Sequence, residues 1–214
     1  MKGRQYSLLD HAITRLDQGL QVLLHPQKFA ARSLPGETLV EANLSTKQRK
    51  QIAGLMRVNH AGEISAQALY QGQGLTARNS QIQAQMKQAA QEEVDHLYWC
   101  AHRLRELESQ PSLLNPLWYV GSFLIGTIAG IAGDSWSLGF VEETEQQVLK
   151  HIESHLQQLP ETDQKTEAIL KQMYIDEAHH ADNANAAGAK TLPLPIKLMM
   201  KGMSKVMTIT AYWI

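Results

Sequence analysis

The sequence predicts an all-α protein built around a four-helix bundle, and three of its features lead there. Apolar residues recur at three- and four-residue spacing over four long stretches, the period of amphipathic helices rather than strands. Ala, Gln and Leu are abundant while aromatic residues make up only 6%, a balance that favours helix over sheet. The prolines fall mainly outside those stretches, where helices have to end. With 214 residues, 43% hydrophobic and 19% charged, the chain has the material for one sizeable core with appendages.

Taken in order, Ser7 to Leu24 predicts a short amphipathic helix, with Leu9, Ile13, Leu16, Leu20 and Leu23 or Leu24 on one stripe. His25 and Pro26 end it, and a polar connector containing Pro35 and Gly36 runs to residue 45. The first long helix is expected from about Thr46 to Thr76, and the second from Ser80, read as an N-cap, to about Glu108. Leu113 to Gly133 follows without a single charge. It is long enough to span a bilayer, but Asn115, Pro116 and its glycines favour a buried or membrane-dipping connector. A third long helix is expected from about Asp134 to Leu159, stopped by Pro160, and a fourth from about Thr162 to Ala187, stopped by Gly188. In the tail, Lys197, Lys201 and Lys205 repeat every four residues among Leu198, Met199, Met203, Val206 and Met207. Such a helix suits either a membrane-surface anchor or a cover docked on the bundle. The organisation is thus an N-terminal helix and connector (1–45), a bundle (46–190) and an amphipathic, membrane-associating tail (191–214).

Charge and cysteine content exclude several classes of function. A formal net charge of −1 gives no overall electrostatic case for nucleic acid. The single Cys100 rules out an intramolecular disulfide framework and a zinc finger. The first 21 residues, with Asp10 and Asp17, resemble neither a secretory signal nor a mitochondrial transit peptide. The expected location is therefore the cytoplasmic side of a bacterial cell.

Two Glu-x-x-His units carry the chemistry, Glu93 with His96 and Glu177 with His180. At i, i+3 on a helix both side chains share a face and can reach one metal. Each unit lies on an apolar stripe, Glu93 among Met86, Ala89, Leu97 and Cys100, and Glu177 among Leu170, Met173, Ala181 and Ala184. Carboxylates aimed into a core need hydrogen bonds, a counter-charge or a metal. On the first long helix, Glu63 shares a stripe with Met56, Ala66 and Tyr70. On the third, the choice lies among Glu142, Glu143 and Glu145. Glu145 fills the missing step of the stripe formed by Val141, Val148 and Ile152, while Glu142 sits at its edge. Glu145 is preferred and Glu142 kept as the fallback.

One Glu from each of two helices and a Glu-x-x-His from each of the others is the ligand set of ferritin-like di-iron and di-manganese bundles. Four carboxylates and two imidazoles suit Fe(II) or Mn(II) and neutralise two divalent ions. Asp95 and Asp176 adjoin candidate ligands and are read either as partners that orient an imidazole or as parts of a solvated face. His151 has the same two readings; His60, His102, His155 and His179 carry no special claim. Such a site oxidises iron, serves radical chemistry, or activates oxygen against an organic substrate. Apolar segments flanking the bundle favour a hydroxylase acting on a lipid-like molecule.

The strings RVNHAGEISAQALYQGQ (57–73), EEVDH (92–96), NPLW (115–118) and DEAHH (176–180) resemble the demethoxyubiquinone hydroxylase family, in order from about Arg57 to Ala187. The resemblance implies a ferritin-like protein on the cell membrane, bound peripherally, with two iron ions per chain. It implies O2-dependent hydroxylation of the ring of 2-polyprenyl-3-methyl-6-methoxy-1,4-benzoquinone or its quinol in ubiquinone biosynthesis. Membrane lipid, other proteins of that pathway and a second copy of the chain are the partners it makes room for. The family's ligands fall on Glu63, Glu93, His96, Glu177 and His180; the third-helix ligand matches Glu142 or Glu143 through a VEE string, or Glu145 by counting without gaps. Residues 1–48 have no counterpart in the family's core. The alternative is a ferritin-like protein that binds or oxidises iron without an organic substrate.

Overall fold

The protein is seen here as a computed structural model that describes residues 28–214 together with Thr14, Asp17, Gly19, Gln21 and Leu24. The helix expected over Ser7–Leu24 lies, apart from those positions, outside the described residues. Six helices follow: α1 Thr46–Thr76, α2 Ser80–Glu106, α3 Asn115–Ala132, α4 Asp134–Gln158, α5 Gln164–Ala186 and α6 Leu194–Trp213. No strand occurs among the described residues, so the all-α class stands.

Local chemistry sets the helix ends. Ser45 and Gln48 form a reciprocal capping box at the start of α1, which satisfies two otherwise orphaned backbone donors. The α2 cap is Asn79, whose side chain accepts from Gln81 N, and not Ser80, which is the first helical residue. Asp163 caps α5 through Thr166 N. Helix α2 stops two residues before the expected Glu108. Ser109 N–H reaches Leu104 O and Glu108 N–H reaches Arg105 O, a closure that puts Glu108 in the left-handed region at φ 57°. The same pair of bonds closes α5, from Ala189 to Ala184 and from Gly188 to Asn185, with Gly188 at φ 97°.

Cross-helix contacts give the directions. Helix α2 runs antiparallel to α5, since Arg103 meets Thr166 at one end while Glu92 meets His180 at the other. It is also antiparallel to α1, whose Arg49 meets Glu108 just past the end of α2 while Glu63 meets His96. Helix α4 runs antiparallel to α1, from Gln73 against Ser137 down to Gln51 against Gln158. The connection from α2 to α4 must therefore return along the length of the bundle. The apolar segment makes that crossover as a continuous helix, α3, parallel to α1 from Asn115 beside His60 to Gly130 beside Thr76. It is half connector and half outer surface. Gly126, Ala129 and Gly130 are buried, whereas Leu117, Val120, Leu124, Ile128 and Ile131 face outward. Its contact with α1 depends on glycine: a Cβ on Gly126 would collide with the Leu69 carbonyl, and one on Gly72 with the Phe123 carbonyl.

The tail helix α6 docks on α1 antiparallel. Arg57 donates to the Ala211 and Tyr212 carbonyls at 3.2 and 2.7 Å, closing carbonyls that the helix end leaves open, and the Tyr212 ring lies over Gly54. Lys197 turns inward to Glu143 at 2.7 Å, so the three lysines do not form one outward row. Ahead of the bundle, Glu41 of the connector pairs with Arg103, a fully buried arginine that also holds Asp163, Glu106 and Thr166.

Two apolar layers fill the bundle, one around Ile52, Met56, Trp99, Cys100, Ile152 and Leu170, the other around Ala66, Tyr70, Met86, Leu138 and Val141. Gly126→Val should push α3 off α1 and lower stability by about 1–3 kcal/mol, measured by thermal unfolding.

Candidate metal centre

Between the two apolar layers the bundle holds a polar one. Glu63 of α1, Glu93 and His96 of α2, Glu145 of α4, and Glu177 and His180 of α5 meet there, each no more than 5% exposed. They form two overlapping groups, Glu63, Glu93, His96 and Glu177, then Glu93, Glu145, Glu177 and His180, each with its potential ligand atoms within 4.8 Å of one another. Glu93 and Glu177 belong to both. The helical stripes bring this about, since each of the four helices points its apolar face at the bundle axis. Glu142, about one turn before Glu145 along the helix, is half-buried and outside the cluster, and Glu143 is committed to Lys197.

Both imidazoles present Nδ1 to the cluster. His96 Nδ1 lies 3.0 Å from Glu177 Oε1, 3.3 Å from Glu93 Oε2 and 3.4 Å from Glu63 Oε2. His180 Nδ1 lies 2.9 Å from Glu177 Oε2 and 3.6 Å from Glu93 Oε1. Each Nε2 points away to a carboxylate on the opposite helix, His96 to Asp176 at 2.9 Å and His180 to Glu92 at 2.6 Å. A carboxylate accepting from Nε2–H leaves the Nδ1 lone pair free for a metal and fixes the ring. The residue just before each Glu-x-x-His unit thus serves the histidine of the other unit. Asp176 was one of two candidates for this role. The other, Asp95, is buried elsewhere, accepting from Ala31 N and from Arg32 N and Nε. Glu92 lies outside the residues that the helical stripes single out, and its sequence signal is the repeat Glu92-Glu93 and Asp176-Glu177 ahead of the two histidines. Tyr70, buried on its stripe, donates to Glu145 Oε1. His151 touches none of the six residues; it lines the apolar cavity beside Glu63.

The donor set fits a metal. Glu93 Oε1 and Glu145 Oε2 are buried without a hydrogen-bond partner, an expensive state for carboxylate oxygens unless a cation takes them up. Without one, the cluster shares protons. Burial, then the charges of Glu177 and Glu63, push Glu93 well above the ordinary carboxylate range; burial and the Glu177 charge do the same to Glu145. Burial opposes charge on the imidazoles, but the Glu177 charge and hydrogen bonds to Asp176, Glu177 and Glu63 raise His96 well above its usual value. Hydrogen bonds to Glu177 and Glu92 and the nearby carboxylates likewise take His180 to about 9. Burial would raise Glu177 too, yet His96 and His180 hold it down to about 2.

The fold and the site together define a ferritin-like helical bundle with a buried carboxylate–histidine cluster able to hold metal. A dodecameric thioferritin, the bacterioferritin-related protein from Bacteroides fragilis, shares this fold at a TM-score of 0.55, with 17% identity over 76% of this chain and 91% of that one. The family described as Ubiquinone biosynthesis protein COQ7 matches residues 50–211, and the chain belongs to it. Proteins named 3-demethoxyubiquinol 3-hydroxylase align along nearly the whole chain. That of Legionella pneumophila (strain Corby) is 57% identical over 99% of this chain and 100% of its own length. That of Nitrosospira multiformis is 53% identical over 96% and 99%, and that of Nitrosococcus oceani 52% identical over the full length of both.

The metal-free protein should lose stability as pH rises. His180 binds its proton more tightly folded than unfolded, so its contribution is complete below 6.5 and is lost as pH climbs through about 9. The raised Glu93 and Glu145 act in the same direction from 4.5 upward. Glu177 has the opposite sign, contributing above 4.5 and losing its effect as pH falls towards about 2. The unfolding midpoint of chelator-treated protein should therefore fall between pH 6.5 and 9, and saturating Mn(II) should flatten that fall by displacing the shared protons.

Proposed function

We propose that this chain is a di-iron, O2-dependent monooxygenase that hydroxylates the ring of a demethoxyubiquinol, 2-polyprenyl-3-methyl-6-methoxy-1,4-benzoquinol or its quinone, in ubiquinone biosynthesis. The observation that carries the reading is an apolar cavity of about 350 Å³ that opens onto Glu63. It lies between α1, α3, α4 and α6, with Gly62, Trp118, Phe140 and Met203 among its walls, and its size is that of a small-molecule site. Relatives of matching length named for this hydroxylation support the same reading.

Glu63 and His96 would hold one iron and Glu145 and His180 the other, with Glu93 and Glu177 shared. Iron held there would supply the reductive activation of O2, one oxygen atom entering the ring and the other leaving as water, with the two electrons and two protons drawn from an outside reductant or from the quinol itself. The protein's own part is positional. Asp176 and Glu92 hold the imidazole Nε2 protons, and Tyr70 fixes Glu145. The apolar walls exclude water and lay the ring against the Glu63 side. The methionines of α6 and the face of α3 leave an apolar path for the polyprenyl chain. A Cβ on Gly62 would meet nothing within 4 Å, so this position keeps space open beside the site.

The same two helices support a peripheral seat on the cytoplasmic face of the bacterial membrane, with residues 191–214 as part of it. Leu124, Ile128 and Ile131 of α3 and Leu198, Val206, Ile209 and Trp213 of α6 are all more than half exposed, an apolar surface that water disfavours and lipid would accept. Leu124→Asp with Ile128→Asp should leave iron content unchanged and abolish flotation with phospholipid vesicles. Flotation equal to wild type would count against this seat.

A single turnover tests the activity. Protein loaded with Fe(II) without air is mixed with a short-chain demethoxyquinol and then O2, and the product should be heavier by one oxygen atom derived from O2. Iron oxidised with the quinol untouched would favour iron oxidation instead. Gly62→Leu should raise KM for the quinol by about 10-fold or more with iron binding intact.

A further inference from the structure

We propose that Arg32, on the connector ahead of the bundle, is a positioning residue for the metal position formed by Glu63 and His96. The inference rests on the metal-binding reading above and adds to it a part of the chain that lies before residue 50, where the family match begins. Arg32 enters between α2 and α5. Its Nε donates to Asp95 Oδ2 at 2.7 Å and one terminal nitrogen to Asp176 Oδ2 at 2.8 Å, while the other lies 3.3 Å from His96 Nε2. The guanidinium also covers the Trp99 ring at 4.7 Å, and Trp99 in turn packs against the His96 imidazole.

The oxygen that Arg32 grips is the one that faces His96. Asp176 Oδ2 serves both Arg32 and Nε2, and Gln172 holds the other oxygen at 3.0 Å. A planar guanidinium can bridge two carboxylates in fixed directions, which an ammonium cannot. Asp95 supplies the anchor: buried at 3% exposure, it also binds the backbone N–H groups of Ala31 and Arg32 and fixes where the connector crosses. The other half of the site is built differently. Glu92, which holds His180, takes its remaining hydrogen bond from Gln88 on its own helix and is 31% exposed against 14% for Asp176. Arg32 makes no hydrogen bond to Glu92 and acts on it only through its charge, so removing Arg32 should loosen the Glu63–His96 position far more than the other.

Anaerobic Fe(II) titration followed by near-infrared circular dichroism separates this role from that of a strap. Wild type should take up two equivalents. In Arg32→Ala the first should bind as in wild type, and the second roughly 10- to 100-fold more weakly, the usual effect of losing an outer partner of a ligand. Arg32→Gln keeps one donor for Asp95, is gentler to the fold, and should show the same selective loss. Glu41→Ala cuts another of the connector's ties, at Arg103 and Lys165, and should lower the unfolding temperature while leaving both equivalents tight. If Arg32→Ala or Arg32→Gln titrates like wild type, or Glu41→Ala weakens iron equally, the connector only braces the fold and the inference is overturned. Wild-type protein that binds no Fe(II) would overturn the metal reading, and this inference with it.

Discussion

Four carboxylates and two imidazoles are buried at the centre of an otherwise apolar core, and the rest of the structure follows from keeping them there. Isolated charges of this kind do not survive burial; they must share protons, bond to one another or bind cations. In the metal-free cluster burial and neighbouring charges push Glu93 and Glu145 towards their protonated forms, while the two imidazoles, raised in turn by the carboxylates, hold Glu177 in its charged form. Under the proposed function two divalent ions replace those protons. Either way the four helices must extend well beyond the polar layer on both sides. Each side needs an apolar layer to stabilise the bundle that the polar layer alone would weaken.

Helix α1 organises the elements around that layer. Over two turns its polar side chains reach four different neighbours. Arg57 holds the end of α6, Asn59 bonds His155 of α4, His60 bonds Asn115 of α3, and Glu63 enters the cluster. Burial lowers His60 and His155 to about 4, so both are neutral partners in these bonds and not charges to be balanced. The stretch Arg57–Glu63, part of the string 57–73 that resembles the family, is thus largely a set of helix-to-helix fasteners, with one residue of the site at its end.

The two flanks of the site are unequal. On the Glu63 flank, α3, α4 and α6 leave an apolar cavity whose outer walls continue into exposed apolar helix faces. On the His96 flank, the connector closes the gap between α2 and α5 with a charged side chain. A ring-shaped apolar molecule has a way in on the first flank, and the second is held rigid. That division suits chemistry needing an open substrate face and fixed ligands behind it.

By itself the sequence determined the helices and the polar layer. A period of 3.6 residues records which face of each helix is buried, so Glu63, Glu93, Glu145 and Glu177 could be placed on the axis from their own stripes, and Glu145 separated from Glu142 by one step of that period. Chain direction and pairings across helices leave no such record. Only the tertiary structure decided that α3 is a full helix returning parallel to α1, that Lys197 turns inward, and that Asp95 serves the connector while Glu92 serves His180. The reason is range. Periodicity is a property of neighbours along one helix, whereas the partners of Asp95, Glu92 and Arg32 come from more than 60 residues away and depend on how far each helix is rotated and displaced against the next.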